Sequence, residues 1–362
     1  MEILITGGLG FVGFNLAKYF ASKDNHILIM DNLVRRGSEI NLETIAEHKN
    51  ITFIHGDVRN KEDFDQIGRV QSGKSLDVIC ECAAQPSAID GYENPLFDIS
   101  NNTVGALNSL EYARMKDAIF IFWATNKCYA GEKINSIPKK EDETRWKWDV
   151  EEIERSKLVL QGFDPTYGFN AEFSIDGKDH SIYGLSKVMA DLAVQEWADA
   201  YGVRGVSNRF SCLAGEGQFG KSTQGWVSWW PIAFEFNLPL TYIGWKGKQV
   251  RDILFIEDIC RLVEMEIVNI DKIAGRTFNV GGGNKNTLSL VEATYFLGKK
   301  YKSLPEILYL EDSRKADHCV YISDNRPLEK IGWQPTVDIP NGYERIIKWV
   351  KNNRERLRRL YL

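Results

Sequence analysis

Tyr183 and Lys187 are the two residues whose types and spacing best suit proton transfer. They lie four positions apart in a segment with helical periodicity, so they share one face of the predicted helix. A free tyrosine titrates near pH 10, which is too high for a base at neutral pH. A neighbouring ammonium group favours the phenolate and lowers that pKa. The pair therefore predicts a tyrosine base assisted by a lysine, although the same spacing is common on helix surfaces.

Thr125 supports the catalytic interpretation because of its place in the chain. It ends the apolar run AIFIFWAT at residues 118–125, which predicts a buried strand. In doubly wound folds, ligands bind at the carboxyl ends of parallel strands. A hydroxyl group there can hold the oxygen that Tyr183 deprotonates. The predicted catalytic residues are therefore Thr125, Tyr183 and Lys187.

The elements that must position these residues follow an alternating pattern. Apolar runs at residues 2–6, 26–31, 51–57, 77–84 and 118–125 predict buried parallel strands, with helical patterns between them. A helix at 183–201, strands at 205–210 and 240–244, and helices near 288–301 and 340–352 follow. The predicted fold class is α/β, a doubly wound parallel (Rossmann) sheet with a smaller, interleaved C-terminal substrate domain.

The 362 residues suggest one large domain and one smaller domain. We assign residues 1–210 to the dinucleotide-binding domain and residues 211–362 mainly to the substrate domain. Residues 240–280 return to the Rossmann sheet in this assignment. Residues 132–180 have few features of buried strands, and we interpret them as a long loop that closes over the substrate.

The segment TGGLGFVG predicts a dinucleotide site between the first strand and the first helix. Its glycines allow a tight turn and a close approach of the backbone to a pyrophosphate, and the helix N-terminus offers free N–H groups. Asp31 ends the second strand, where it can accept hydrogen bonds from a ribose diol and favours NAD over NADP. Arg35, like Arg36, lies close to it and weakens that preference. Asp57 either reaches the adenine or caps a helix.

The predicted NAD site comprises residues from the strand ends and from the glycine segment: Gly7, Gly10, Phe11, Val12, Gly13, Asp31, Asn32, Arg35, Asp57, Val58, Ala83, Ala84, Gln85, Asn102 and Lys187.

With TGGLGFVG, Thr125 and YGLSK together, the sequence resembles the extended short-chain dehydrogenase/reductase family of nucleotide-sugar enzymes. The resemblance covers nearly the whole chain. It implies tightly held NAD, with Lys187 also bonding the nicotinamide ribose and Asn102 on a helix beside the cofactor.

Asn126 and Lys127 stand where dehydratases of this family carry an Asp-Glu pair. Amide and ammonium groups cannot replace that acid–base pair, so a dehydratase is disfavoured. The segments ATNKCYAG, CAAQPS, TQGWVSW and GKQVRDIL resemble the CDP-paratose 2-epimerase group. That resemblance implies reversible oxidation at C2 of a CDP-6-deoxyhexose or CDP-3,6-dideoxyhexose. Two alternatives stay open: a UDP-sugar 4-epimerase, and a non-catalytic NAD-binding regulatory protein.

A sugar that turns over within its pocket needs a firm hold on its diphosphate. Arg251 and Arg314 are candidate clamps, since a guanidinium group binds phosphate oxygens in a fork. Asn208 and Arg209 suit either substrate contact or packing at the sheet edge. The predicted substrate site comprises residues from several loops: Ser87, Asn126, Lys127, Asn208, Arg209, Gln224, Gly225, Trp226, Arg251 and Arg314.

The composition limits the partners. A net charge of −5 and a pI near 5.7 give no reason to expect nucleic acid or an anionic membrane surface as a partner. The six cysteines lack the spacing of a metal site. We expect no secretory signal, a reducing cytoplasmic location and, by the family resemblance, a homodimer or homotetramer.

Overall fold

The structure is a computed structural model, and it describes residues 1–71 and 75–362. The strands are β1 Glu2–Thr6, β2 His26–Asp31, β3 Ile51–His55, β4 Val78–Glu81, β5 Ile119–Thr125, β6 Lys139–Glu141, β7 Trp146–Trp148, β8 Phe163–Asp164, β9 Gly168–Phe169, β10 Gly205–Phe210, β11 Cys212–Ala214, β12 Leu240–Ile243, β13 Val250–Phe255, β14 Thr277–Val280, β15 Thr287–Ser289, β16 Ile307–Leu310 and β17 Val320–Tyr321.

The helices are α1 Phe11–Ala21, α2 Ser38–Ile45, α3 Phe64–Gln71, α4 Ala88–Glu93, α5 Pro95–Ile99, α6 Gly105–Lys116, α7 Gly131–Asn135, α8 Val150–Arg155, α9 Ser181–Tyr201, α10 Trp226–Phe236, α11 Ile256–Val268, α12 Ile270–Ile273, α13 Leu290–Tyr301, α14 Arg326–Glu329, α15 Ile339–Asn352 and α16 Arg354–Tyr361. A π-helical turn, Ser100–Val104, joins α5 to α6. None of the helices in the described part of the chain is long and apolar enough to cross a membrane.

The main sheet has seven strands in the order β14-β10-β5-β4-β1-β2-β3. The pairs from β5 to β3 are all parallel. Strands β1, β4 and β5 are buried along their whole length, which explains their continuous apolar sequences. The predicted doubly wound sheet is confirmed.

The strand order reverses between β1 and β4. The chain runs outwards from β1 through β2 to β3, and then crosses to the other side of β1 to form β4. The carboxyl ends of such neighbouring strands border a crevice, which is where open α/β sheets bind ligands. The glycine segment follows β1, and residues 82–85 follow β4.

The chain forms two compact units. Unit 1 contains Met1–Thr125, Ile182–Asn208 and Ile259–Thr277, and unit 2 contains Asn126–Ser181, Arg209–Asp258 and Phe278–Leu362. The prediction that residues 240–280 return to the main sheet was wrong for β12 and β13, which pair with strands of unit 2, whereas β14 joins the main sheet. The predicted functional roles of 1–210 and 211–362 stay predictions.

Two core clusters of described residues lie in unit 2. One packs α10, α13 and α15 together through side chains such as Trp230, Leu297 and Ile346. The other includes Tyr129, Trp148 and Phe169. Unit 2 also contains a small sheet of strands β11, β13, β15 and β17, and a separate pair of strands, β12 and β16.

The interpretation of residues 132–180 as a long loop was wrong. The segment contains most of α7, the antiparallel pair β6–β7, helix α8 and the pair β8–β9. These elements are only two to six residues long, so they give little periodicity in the sequence. Their aromatic side chains pack into the core of unit 2, and this tertiary packing stabilises them.

Candidate active site

The glycine segment adopts a conformation that side chains would prevent. Gly7 has a φ of +56°, and a Cβ at this position would lie 2.6 Å from Ala83 Cα. A Cβ at Gly13 would lie 2.6 Å from the Gly7 carbonyl oxygen. The backbone of β1 therefore passes directly beside the residues that follow β4. The positive φ of Gly7 fits the predicted tight turn, and the contacts of both glycines with the cofactor stay predictions.

Helix α1 begins directly after this turn. Its N-cap is Gly10, and within the described residues no side chain caps it and no acidic residue lies in its first turn. Uncapped N–H groups and the positive end of the helix dipole favour an anion at this position. Phe11 and Val12 are the first two residues of α1.

Asp31 links β2 to the glycine segment. Its Oδ2 accepts a hydrogen bond of 3.0 Å from the Leu9 N–H, and its Oδ1 accepts one of 2.8 Å from the Leu33 N–H. Burial raises the pKa of Asp31, although these two bonds and the charge of Arg35 oppose the shift. Each carboxylate oxygen has a second lone pair, which can accept a hydrogen bond from a ribose hydroxyl group.

Asp57 is held by neighbouring side chains. The Arg59 guanidinium and the Asn32 amide donate to its carboxylate, and Arg59 is the main reason that its pKa falls to about 2. Val58 packs against the start of α6, where a Cβ at Gly105 would lie 2.5 Å from it. The contacts of Asn32, Asp57 and Val58 with the cofactor stay predictions.

Asn102 connects three segments of unit 1. It lies in the π-helical turn and is fully buried. Its Oδ1 accepts a hydrogen bond of 2.7 Å from the Gln85 N–H, and its Nδ2 donates to the Gln85 carbonyl and to Ser186 Oγ. Asn102 therefore fixes the path of residues 83–85 after β4. Ser87 caps α4 by accepting from the Asp90 N–H at 3.2 Å, and its substrate contact stays a prediction.

The three predicted catalytic residues all lie in unit 1. Thr125 is the last residue of β5, and Tyr183 and Lys187 lie in the first two turns of α9. The Lys187 side chain is only 2% exposed, and its ammonium nitrogen lies 4.8 Å from the centroid of the Phe122 ring. A cation so buried requires compensating negative charge.

Two buried carboxyl groups supply that charge, and the sequence analysis missed both. Lys187 interacts electrostatically with Glu81 and Asp98. Burial raises the pKa of Glu81 to about 7 and that of Asp98 to about 6. Thr6 Oγ1 donates to Glu81 at 2.7 Å. Acidic residues inside the apolar runs VICE and PLFDI were the signal that could have identified them.

Several predicted substrate residues form a cationic cluster in unit 2. Lys127 Nζ lies 3.1 Å from Asp317 Oδ1, and Arg251 Nη2 lies 2.7 Å from the same oxygen. Burial opposes ionisation of Asp317, but the charges of Lys127 and Arg251 outweigh it and lower its pKa. Arg314 also interacts electrostatically with Asp317, so three cations surround one carboxylate. This excess of positive charge suits an anionic group.

The remaining predicted substrate residues have mostly structural contacts. Asn208 donates to Glu266 at 3.1 Å in unit 1, and Arg209 donates to the Tyr129 hydroxyl at 3.1 Å in unit 2. Both are buried, which favours packing over substrate contact for Asn208 and Arg209. Their roles stay predictions.

Gln224, Gly225 and Trp226 lead into α10. The Gln224 and Lys221 backbones exchange two hydrogen bonds, and Arg314 donates to the Thr223 carbonyl at 2.9 Å. Gly225 is the N-cap of α10 with a φ of 68°, and Trp226 packs edge-on against Trp230. Asn126 opens the short turn after β5 and is buried. The structure thus brings Arg314 beside this loop.

The sequence profile of the NAD dependent epimerase/dehydratase family matches residues 3–161 and 164–281. The chain belongs to this family. It is 32% identical to the CDP-paratose 2-epimerase of Salmonella typhi over 360 residues, which cover 97% of this chain and 100% of that relative. It is 25% identical to a putative UDP-glucose 4-epimerase of Methanocaldococcus jannaschii, and the match covers 97% of this chain and 99% of that relative.

Solved structures share the fold. Pal from Bacillus thuringiensis superposes with a TM-score of 0.78 at 23% identity, covering 97% of this chain and 99% of that chain. The UDP-glucose 4-epimerase of Thermus thermophilus, solved in complex with NAD, superposes with a TM-score of 0.73 at 21% identity, covering 97% and 99%.

Family membership confirms NAD as the cofactor and an NAD-dependent nucleotide-sugar epimerase as the activity class. The local structure fits a dinucleotide. Gly7 leaves no room for a side chain beside Ala83, the N-terminus of α1 offers N–H groups, and Asp31 follows β2. Among the described residues, no cluster of His, Cys, Asp and Glu is arranged to hold a metal ion.

Proposed function

We propose that the protein inverts C2 of a CDP-6-deoxyhexose or CDP-3,6-dideoxyhexose. The observation that supports this most strongly is the 32% identity over the full length of a CDP-paratose 2-epimerase. The two positions after Thr125 add chemical support, because Asn126 and Lys127 replace the Asp-Glu pair of the dehydratases. Lys127 also donates to the Ala316 carbonyl at 2.6 Å and to Asp317, so its side chain is engaged by these two residues.

Tyr183 is the proposed base and acid of the reaction. Its phenolate removes the proton of the sugar hydroxyl and later returns it when the keto-sugar is reduced on its opposite face. Thr125 holds the same oxygen, and the Lys187 ammonium stabilises the phenolate. When bound, NAD supplies the hydride acceptor and donor, so no net redox change occurs.

The cationic cluster of unit 2 is the proposed hold on the substrate diphosphate. Arg251 and Arg314 offer forked donors, and Lys127 adds a third positive charge. Asp317 fixes Lys127 and Arg251, which reduces the freedom they lose on binding. A tethered diphosphate lets the sugar rotate without leaving the protein.

A substrate panel tests this proposal. Purified holoenzyme is incubated with CDP- and UDP-sugars, and the configuration of each carbon is followed by NMR. We expect inversion at C2 of a CDP-sugar, with no solvent deuterium at that carbon because hydride returns from the cofactor. Inversion at C4 of a UDP-sugar would instead establish the alternative that the Methanocaldococcus jannaschii relative supports.

A single substitution tests the role of Tyr183. We expect Tyr183→Phe to lower kcat by about 10²–10⁴-fold, which is typical for loss of a general acid–base group, while bound NAD is retained. Tyr201→Phe, at the exposed end of the same helix, is the matched control and should keep wild-type kcat. Unchanged activity in Tyr183→Phe would contradict Tyr183 as the base, whereas a wild-type protein without activity on any of these CDP- and UDP-sugars would favour the non-catalytic alternative.

A homodimer or homotetramer and a cytoplasmic location stay predictions. Light scattering coupled to size-exclusion chromatography measures the first, and fractionation of the source cells measures the second.

A further inference from the structure

Asp98 is a buried acid that the proposed reaction does not yet use. It lies in α5 and is fully buried. Its Oδ1 accepts hydrogen bonds from Gln85 Nε2 at 3.1 Å and from Asn102 Nδ2 at 2.9 Å. Its Oδ2 has no hydrogen-bond partner among residues 1–71 and 75–362. A buried carboxylate oxygen without a hydrogen bond reduces the stability of the folded protein, so its presence calls for a functional explanation.

A chain of hydrogen bonds leads from Asp98 to the first turns of α9. Asn102 donates to Asp98 and also to Ser186 Oγ at 3.0 Å. Ser186 Oγ donates in turn to the Tyr183 carbonyl at 2.8 Å. Asp98 is therefore linked through two side chains to the segment that carries Tyr183 and Lys187.

The unpartnered oxygen of Asp98 also lies near this segment. A Cβ placed on Gly91 would lie 2.5 Å from Asp98 Oδ2 and 3.4 Å from the Tyr183 backbone nitrogen. Gly91 thus leaves a space that both groups border. All of these residues belong to unit 1.

We propose that Asp98 is a positioning residue of the epimerase: it fixes the first turns of α9 and holds the Lys187 ammonium in its charged form. It acts through Asn102, Ser186 and Lys187. The inference rests on the proposed roles of Tyr183 and Lys187.

The surroundings of Asp98 determine the pH at which its carboxyl group ionises. Burial is the main reason that its pKa is raised to about 6, and Asp90 on α4 acts in the same direction. The hydrogen bonds from Gln85 and Asn102 and the charge of Lys187 on α9 oppose the shift. Glu81 also interacts with Lys187, from β4. Above about pH 6, Asp98 is ionised and supports the ammonium. Below that pH, the support is lost.

Asp98→Asn tests the inference because it keeps the shape and removes the charge. At pH 8 we expect kcat to fall about tenfold, the factor that corresponds to one pKa unit of lost charge interaction. KM should change by less than about twofold, since the residue does not touch substrate. The ratio of wild-type to variant kcat should approach one at pH 5, where wild-type Asp98 is protonated.

Two further variants separate positioning from folding. Gly91→Ala crowds Asp98 without removing its charge and should also lower kcat. Asp258→Asn, in unit 2, replaces a buried carboxylate that accepts bonds from Thr336 and Val337. It should lower the melting temperature and leave the pH dependence of kcat unchanged. An Asp98→Asn variant with a pH-independent kcat ratio, or with wild-type kcat at pH 8, overturns the inference.

A double-mutant cycle gives a readout that needs no activity. Asp98→Asn is combined with Lys187→Met, and melting temperatures are measured at pH 8. Asp98→Asn should raise the melting temperature more in the Lys187→Met background than beside the native lysine, because no ammonium then offsets the buried carboxylate. Additive effects overturn the inference. A wild-type protein inactive on every CDP- and UDP-sugar counts against the proposed function and leaves this cycle interpretable.

Discussion

Gly7 carries a strict steric requirement at the scale of one residue. Its φ of +56° is unfavourable for residues with a Cβ, and that Cβ would lie 2.6 Å from Ala83 Cα. We expect Gly7→Ala to destabilise the protein by more than about 1 kcal/mol and to abolish retention of NAD. Thermal unfolding and the NAD released on denaturation measure the two effects.

Gly68→Ala is the matched control for Gly7→Ala. Gly68 lies on the exposed face of α3, and within residues 1–71 and 75–362 no atom beyond its chain neighbours and the backbone of its own helix lies within 4 Å of a Cβ built there. Replacement of a glycine inside a helix by alanine gains about 0.5–1 kcal/mol, so this variant should be as stable as the wild type or more stable. Wild-type NAD content in Gly7→Ala would contradict the steric argument.

The sequence predicts those site residues whose roles follow from local patterns. Gly7, Asp31 and Thr125 stand at the ends of apolar strands, and Tyr183 and Lys187 are one helical turn apart. Asp98 and Glu81 escaped prediction because their importance depends on Lys187, which is distant in sequence. Asn208 and Arg209 stayed undecided because their partners, Glu266 and Tyr129, belong to other elements.

At the scale of elements, strand and helix lengths explain what could be predicted. Strands β1 to β5 of the main sheet are mostly apolar over four to seven residues, and α9 spans 21 residues, so their patterns are clear. The elements between 131 and 169 are short and depend on distant partners. Arg145, for example, donates to Glu292 from the turn between β6 and β7.

The N-terminus of α13 is the distant partner of the turn between β6 and β7. Ser289 and Glu292 form a capping box, and Ser289 Oγ also donates to the Thr144 carbonyl at 2.7 Å. We expect Ser289→Ala to destabilise the protein by about 1–2 kcal/mol, since both the cap and the link to Thr144 are lost. Urea unfolding measures this change. Ser303→Ala, at an exposed position, should leave the unfolding midpoint unchanged.

At the scale of the whole molecule, the buried acids make stability depend on pH. Burial raises the pKa of Glu266 to about 8, against a bond from Asn208 that lowers it. Glu81 and Asp98 are shifted in the same direction. An unfolded glutamate titrates near pH 4.3, so the folded protein binds more protons than the unfolded chain between about pH 4.3 and 8. The free energy of unfolding is therefore highest, as far as Glu266 is concerned, below this pH window, and it decreases as the pH rises through the window.

Glu266→Gln removes this pH-dependent loss of stability because a glutamine never ionises. Relative to the wild type, we expect no gain in the free energy of unfolding at pH 4 and a gain of at least about 1.4 kcal/mol at pH 9, the value of one pKa unit. Urea unfolding across that range measures the difference. Glu47→Gln, at an exposed position, should give the same curve as the wild type. A Glu266→Gln gain that does not grow with pH would mean that the buried carboxyl group is not the one that titrates.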